Sequence, residues 1–331
     1  MQATRLFGIG DMRLVHVAQP LPGPGEILLK VEAAGICGTD RHLFAGEFPC
    51  TPPVTLGHEF SGVIAACGAS VDLAVGTRIS CDPNIACGRC AQCRRGRVNL
   101  CPYNLAIGIH RDGGFAEYVT LPAHRAHALP VDLHPHYGAF CEPLACTLHG
   151  IDIGAPVPGE RVIVLGGGVI GLLAVQLARA AGAEVMLITR QRAKGDLAII
   201  CGASHVATSP ADALMQWPEG ADLVLECAGV VQTITEAPKL TRSGGRIVIL
   251  GVLPKGAQVL IEPFDLLFRE INLLHSFLNP FTQSRAAALI ASGQINVAPL
   301  ISRLIGLDQV PRVLAAPPLP GEVKVLIVPD A

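Results

Sequence analysis

The sequence predicts an α/β fold in which a doubly wound parallel sheet is inserted into an irregular all-β domain. Three observations carry this expectation. Up to about residue 145, apolar runs of four to seven residues are separated by Gly and Pro, as in LPGPGEILLKVEAAGICGTD and TPPVTLGHEFSGVIAACG, which is the pattern of short strands joined by turns. From about residue 155 strands alternate with helical sequence, and alternation of that kind implies a parallel sheet covered on both faces. After Leu273 short strands and one helix return, and the chain closes on VKVLIVP, read as a tail that rejoins the first domain. The expected limits are 1–150 for the β domain, 151–274 for the α/β unit and 275–331 for the return.

Each element of the α/β unit has its own signal. Arg161 to Leu165 is a continuous apolar run that fits a strand buried on both faces, and Val169 to Ala181 has helical apolar spacing. Glu184 to Thr189 reads as the next strand and Ala193 to Cys201 as the next helix. Asp222 to Cys227 and Arg246 to Leu250 are further buried strands with helical sequence between them. In the tail, Arg285 to Ser292 is the expected helix.

Composition narrows the function classes. A chain of 331 residues with 50% hydrophobic content is long enough for two domains, each with its own core. The formal charge of −2, without a block of like charges, gives no nucleic-acid or anionic-membrane surface. Mean hydropathy is +0.46. Yet the most apolar stretch, Val162 to Val175, is broken by glycines and flanked by Arg161, Gln176 and Arg179, so a strand, turn and helix explain it better than a membrane span. The opening MQATRLFGIGDMRLV has no basic segment followed by an apolar one, so no secretory signal is expected. Twelve cysteines, five of them read below as metal ligands, suit a reducing cytoplasm.

Between residues 87 and 101 the chain reads CGRCAQCRRGRVNLC. Cys87, Cys90, Cys93 and Cys101 offer four sulfurs to a tetrahedral zinc site with ligands at about 2.3 Å. Two disulfides are the alternative. The intervening Arg, Gly and Asn cannot form a core, so the lobe of about residues 81–103 needs a metal to hold it. Such a site is structural and says nothing of chemistry.

Strand RVIVL runs directly into Gly166-Gly167-Gly168-Val169-Ile170-Gly171 and then a helix. In G-x-G-x-x-G, Gly166 allows the tight turn, Gly168 lets backbone approach a pyrophosphate, and Gly171 lets helix pack on strand. The context of strand, loop and helix turns a weak motif into a dinucleotide site, against the alternative of an ordinary glycine turn. At the end of the second strand, where an acidic residue would hold the ribose hydroxyls of NAD, stand Thr189-Arg190-Gln191-Arg192. Arg190 and Arg192 suit a 2′-phosphate and hence NADP, with NAD as the alternative if they are only solvated surface charge.

A third group is scattered over AGICGTDRH, TLGHEFSG and FCEPLAC. It contains Cys37, His58 with Glu59, and Glu142, and three protein ligands with an exchangeable fourth position define catalytic zinc. Singly each has a plainer reading: Cys37 as a small core residue, His58 as a satisfied turn histidine, Glu142 as a carboxylate at a helix start.

GICGTD, GHEFSG, the four-cysteine lobe, GGFAEY and the strand, GGGVIG and helix occur in an order that resembles the zinc-dependent medium-chain dehydrogenase/reductase family over nearly the whole length. The Glu-Pro-Leu of CEPLAC is similar to the polyol, sorbitol-type branch. The resemblance implies a GroES-like catalytic domain holding a Rossmann unit, and an NAD(P)-dependent oxidoreductase acting on a secondary alcohol of a polyol or sugar-like substrate to give a ketone. It implies Cys37, His58 and Glu59 as catalytic zinc ligands, Glu142 as a ligand direct or through water, and Cys87, Cys90, Cys93 and Cys101 as structural ligands. Thr39 is implied as the group that takes the substrate proton, and His42 as the one that passes it to solvent by way of the nicotinamide ribose. A homodimer or homotetramer is the implied assembly.

Those roles are chemically coherent. Hydride leaves a carbinol carbon readily once the hydroxyl proton has gone, and a dication makes that loss feasible near neutral pH. Imidazole is the side chain suited to relay it. The sequence departs from sorbitol dehydrogenases at Phe277-Leu278-Asn279, where they have an Arg-Tyr pair after the phenylalanine, and at Leu43, where they have an aromatic residue. Sorbitol itself is therefore not the expected substrate; a shorter polyol, a cyclitol, an amino-alcohol, a hydroxy-amino acid such as threonine or a simple secondary alcohol fits as well. A non-catalytic structural or binding relative would keep the glycine loop and lose metal ligands.

Overall fold

The computed structural model describes residues 1–329. The chain divides into two units: Met1–Glu142 with Pro280–Gly293 and residues from 301 onward, and Pro143–Asn279 with Gln294–Leu300. These changeovers differ from 150 and 274. Helix Cys141–Gly154 begins in the first unit and continues in the second, and strand Asn272–His275 pairs in parallel with Thr241–Ile249, so it still belongs to the α/β sheet. The tail also holds a second helix, Val310–Ala315, whose six residues are too few to show a helical period.

In the second unit six parallel strands run in the order His205–Ala207, Glu184–Ile188, Arg161–Leu165, Ala221–Glu226, Thr241–Ile249, Asn272–His275. Val162, Ile163, Val164 and Leu165 are all buried, because helices cover both faces of such a sheet and leave no polar side. The strand order reverses at Arg161–Leu165 and Ala221–Glu226, and the carboxyl ends of strands at that point are where doubly wound sheets bind ligands. Helices fill Val169–Ala180 and Arg192–Ile200, within a residue of the ranges read from the sequence.

In the first unit strand Glu26–Gly35 is central. It pairs antiparallel with Glu59–Cys67, with Tyr118–Pro122 and with the tail strand Lys324–Ile327. Gly35 stands opposite both Glu59 and Leu326. The C-terminal return therefore places Lys324 beside residues almost three hundred positions earlier. Ile27, Leu29, Phe60, Ile79, Phe115 and Ile327 form the core around these strands. The cysteine lobe lies between the short strands Asn84–Ile85 and Leu105–Ala106, which pair with each other.

Candidate active site

Cys87, Cys90, Cys93 and Cys101 form one group, their sulfurs all within 4.8 Å of one another. Cys90 caps the short helix Ala91–Arg94, its sulfur accepting the Cys93 N–H at 3.5 Å. The thiols influence one another strongly. The backbone N–H of Arg89, first among several donors, draws Cys87 down to about 6, whereas desolvation and then the neighbouring sulfurs push Cys93 up to about 12. Four thiolates cannot all be charged at this separation without a cation among them, so the donor set fits a closed zinc site.

A second group brings together Cys37, His58 and Glu59, again within 4.8 Å. Cys37 is the N-cap of helix Gly38–Phe44, and Asp40 closes the capping box by accepting the Cys37 N–H at 2.8 Å. The other Asp40 oxygen faces His58 Nδ1 at 3.5 Å. That histidine is buried and the carboxylate fully so. At this distance the two buried atoms make no hydrogen bond, but a carboxylate behind Nδ1 suits a ring that offers Nε2 to a metal. Burial alone would lower the His58 imidazole, but the charges of Asp40 and Cys37 outweigh it and hold it well above its usual value. The cluster thus favours positive charge at its centre. One thiolate, one imidazole and one carboxylate fit a three-ligand zinc.

Glu142 is buried in the first turn of helix Cys141–Gly154 and is not a member of that three-donor group. Thr39 and His42 stand three residues apart on helix Gly38–Phe44, on one face of it, and both are half-buried.

Two residues near the donors escaped the sequence reading. Lys324 is 2% exposed, donates to the Ile36 carbonyl at 3.2 Å and pairs with Glu59. Asp40 lies in the quoted AGICGTDRH, and its spacing to Cys37 was the available signal. Lys324 had none, since a lysine in VKVLIVP reads as a solvated strand residue.

In the second unit the three motif glycines have distinct reasons. Gly166 has φ +105°, and a Cβ there would lie 2.9 Å from that of Ala228. A Cβ at Gly171 would overlap the Gly166 carbonyl oxygen. Gly168, the N-cap of helix Val169–Ala180, faces nothing within 4 Å. That open space sits where the helix N-terminus turns its free N–H groups outward, a cradle fitting a pyrophosphate. Close by, Glu226 accepts the N–H groups of Ala228 and Gly229, both at 2.9 Å, and the Thr233 hydroxyl at 2.7 Å, which fixes the loop that follows its strand.

Arg190 and Arg192 line a cavity of about 290 Å³ with Thr189, Thr208, the carboxylate of Asp196 and the apolar Ile199 and Val206. Both are exposed. The Lys194 side chain packs beside the glycine loop, since a Cβ at Gly167 would come within 2.9 Å of the Lys194 Cβ.

A donor set for catalytic zinc, another for structural zinc and a pyrophosphate cradle define a zinc- and dinucleotide-dependent oxidoreductase. Residues 23–131 match the alcohol dehydrogenase GroES-like domain and residues 169–292 the zinc-binding dehydrogenase domain. D-arabinitol dehydrogenase 1 of Uromyces fabae is 32% identical over 90% of this chain and 88% of its own. L-threonine 3-dehydrogenase of Thermococcus kodakarensis is 33% identical over 87% and 86%. The fold superposes with a TM-score of 0.97 and 54% identity, over 99% of each chain, on a zinc-binding dehydrogenase-type protein of Sinorhizobium meliloti 1021 bound to NADP. The chain belongs to the zinc-dependent medium-chain dehydrogenase/reductase family. It is an oxidoreductase acting on the CH–OH group of small alcohols with zinc and NAD(P). Among the described residues no helix is long and apolar enough to cross a membrane.

Proposed function

We propose that this enzyme oxidises a secondary alcohol of a polyol or sugar-like substrate to a ketone, with NADP as the preferred acceptor. The single observation that carries the cofactor reading is the cluster of Arg190 and Arg192 on one cavity where a ribose-binding acid would otherwise stand. The bound NADP of the 54% identical structure supports it, and the D-arabinitol dehydrogenase similarity supports a polyol. L-threonine is the second reading, on the strength of the similarity to L-threonine 3-dehydrogenase.

The roles follow from chemistry. When bound, zinc supplies a Lewis acid for the substrate oxygen and the nicotinamide supplies the hydride acceptor. Cys37, His58 and Glu59 hold the metal, Asp40 orients His58, and Glu142 is a fourth donor reaching the metal directly or through water. Thr39 takes the hydroxyl proton and His42 carries it toward solvent. Gly166, Gly168, Val169, Ile170 and Gly171 receive the pyrophosphate, and Arg190 and Arg192 the 2′-phosphate through charge-assisted hydrogen bonds. Cys87, Cys90, Cys93 and Cys101 hold the structural zinc. A homodimer or homotetramer in the cytoplasm completes the reading.

Kinetics with both cofactors test the cofactor half. Each arginine contact contributes about 1.5 to 3 kcal/mol before solvent exposure is discounted. Arg190→Ala should therefore raise KM for NADP by about tenfold and leave that for NAD unchanged. A strong preference for NAD that Arg190→Ala does not alter would overturn it.

A further inference from the structure

We infer that Glu47 is a positioning residue for His42 and the exit through which its proton reaches solvent. This deepens the proposed relay and rests on it. The argument begins with how the helix Gly38–Phe44 stops. Gly46 has φ +75°, the left-handed conformation in which glycine ends helices. Its N–H bonds the Leu43 carbonyl at 3.1 Å, and the Glu47 N–H bonds the His42 carbonyl at 2.8 Å. These are the two paired bonds of a Schellman cap, with Glu47 as the residue that folds back over the third from last of the helix. That residue is His42.

In such caps the two side chains brought together are usually apolar. Here they are an imidazole and a carboxylate, and His42 Nδ1 is bonded to a Glu47 carboxylate oxygen. An ionised carboxylate only accepts, so in this bond the ring donates from Nδ1, and a neutral ring then leaves Nε2 unprotonated for the relay. A second restraint fixes the ring plane: Phe48 stacks on it with centroids 4.7 Å apart and planes 29° apart. Gly46 cannot be replaced without cost, because any L side chain is strained at its φ of +75°. The turn that delivers Glu47 is therefore built in.

Exposure completes the path, the His42 side chain being 27% exposed and that of Glu47 47%. The substrate hydroxyl proton, once delivered to His42 Nε2, is balanced by release of the Nδ1 proton to the Glu47 carboxylate. Glu47 then gives it to bulk water, which leaves the Nε2–H tautomer; loss of that proton to water and reprotonation of Nδ1 from water at this partly exposed pair restore the starting form. Reduction of a ketone runs the same transfers backward.

Two measurements test this. The ¹⁵N shifts of neutral His42 in the zinc-loaded protein should show the Nδ1–H tautomer, and Glu47→Ala should return it to the Nε2–H form that free histidine favours. An unchanged tautomer in Glu47→Ala would overturn the inference without reference to any substrate. For turnover, the probe is whichever of D-arabinitol, sorbitol and L-threonine is oxidised. In dilute buffer Glu47→Gln should lower kcat by about tenfold, less than a full general-base contribution because water reaches the site. Added formate should restore the rate in Glu47→Gln and leave the wild type unaffected. Glu47→Asp should recover part of it. A rate within twofold of wild type and no response to formate would overturn the inference. His42→Ala separates the two ideas: a slow His42→Ala beside a fast Glu47→Gln removes only Glu47 from the route, whereas a fast His42→Ala removes the relay itself.

Discussion

Lys324 and Glu59 meet across Gly35. Glu59 is paired with Gly35 on the neighbouring strand, and Lys324 stands on the tail strand that flanks the other side. A Cβ on Gly35 would overlap the Glu59 carboxylate and touch the Lys324 stem at 3.4 Å. The absent side chain is the space in which the pair forms. Burial alone would lower the Lys324 ammonium, but Glu59 and then Cys37 outweigh it and keep it charged.

Removing one partner of a buried pair leaves an uncompensated charge and costs about 3 to 5 kcal/mol. In the zinc-loaded protein the metal still faces Glu59. Lys324→Met should therefore lower the thermal midpoint much more after chelation than with zinc bound. Melting curves with and without chelator check this, and equal shifts in both states would remove Lys324 from the account of the metal site.

The two cysteine groups should respond differently. Cys37→Ser should leave one zinc per chain, a folded protein and no turnover. Cys93→Ser should weaken folding, because binding at a structural site is coupled to folding. Zinc analysis beside circular dichroism separates them, and full activity of Cys37→Ser with one zinc bound would refute the assignment.

Glu142 lies outside the three-donor group, so Glu142→Gln should retain both zinc ions while turnover falls. An unchanged rate would leave it a carboxylate at a helix start, which its position in the first turn also suits.

Gly168 and Gly171 belong to one motif and should fail in opposite ways. Gly171→Ala forces a Cβ onto the Gly166 carbonyl and should destabilise the second unit by about 2 kcal/mol or more. Gly168→Ala meets no protein atom, so stability should hold while dinucleotide affinity falls. Thermal shift and cofactor titration on both variants are the check.

Much of this was legible in the sequence, for identifiable reasons. The strands at Arg161–Leu165 and Ala221–Glu226 are buried on both faces, so Val162 to Leu165 and Leu223 to Leu225 read as apolar runs without alternation. The four cysteines lie within fifteen positions of one another, so spacing alone grouped them. The catalytic donors needed the family resemblance, because Cys37, His58 and Glu59 come together only through a helix cap and a strand pairing. Lys324 could not be found from local pattern, since its partner lies 265 residues away. Strand Asn272–His275 straddles the expected limit at 274, because four residues do not reveal which sheet they join.

The proposal of an NADP-linked polyol dehydrogenase is tested most directly by one measurement. Zinc-loaded enzyme mixed with D-arabinitol, sorbitol or L-threonine and either NADP or NAD is followed by the absorbance of the reduced nicotinamide. The account predicts reduced NADP from a polyol, faster than from L-threonine, faster than with NAD, and abolished by Cys37→Ser. Reduction of NAD alone with L-threonine as the preferred substrate would contradict it.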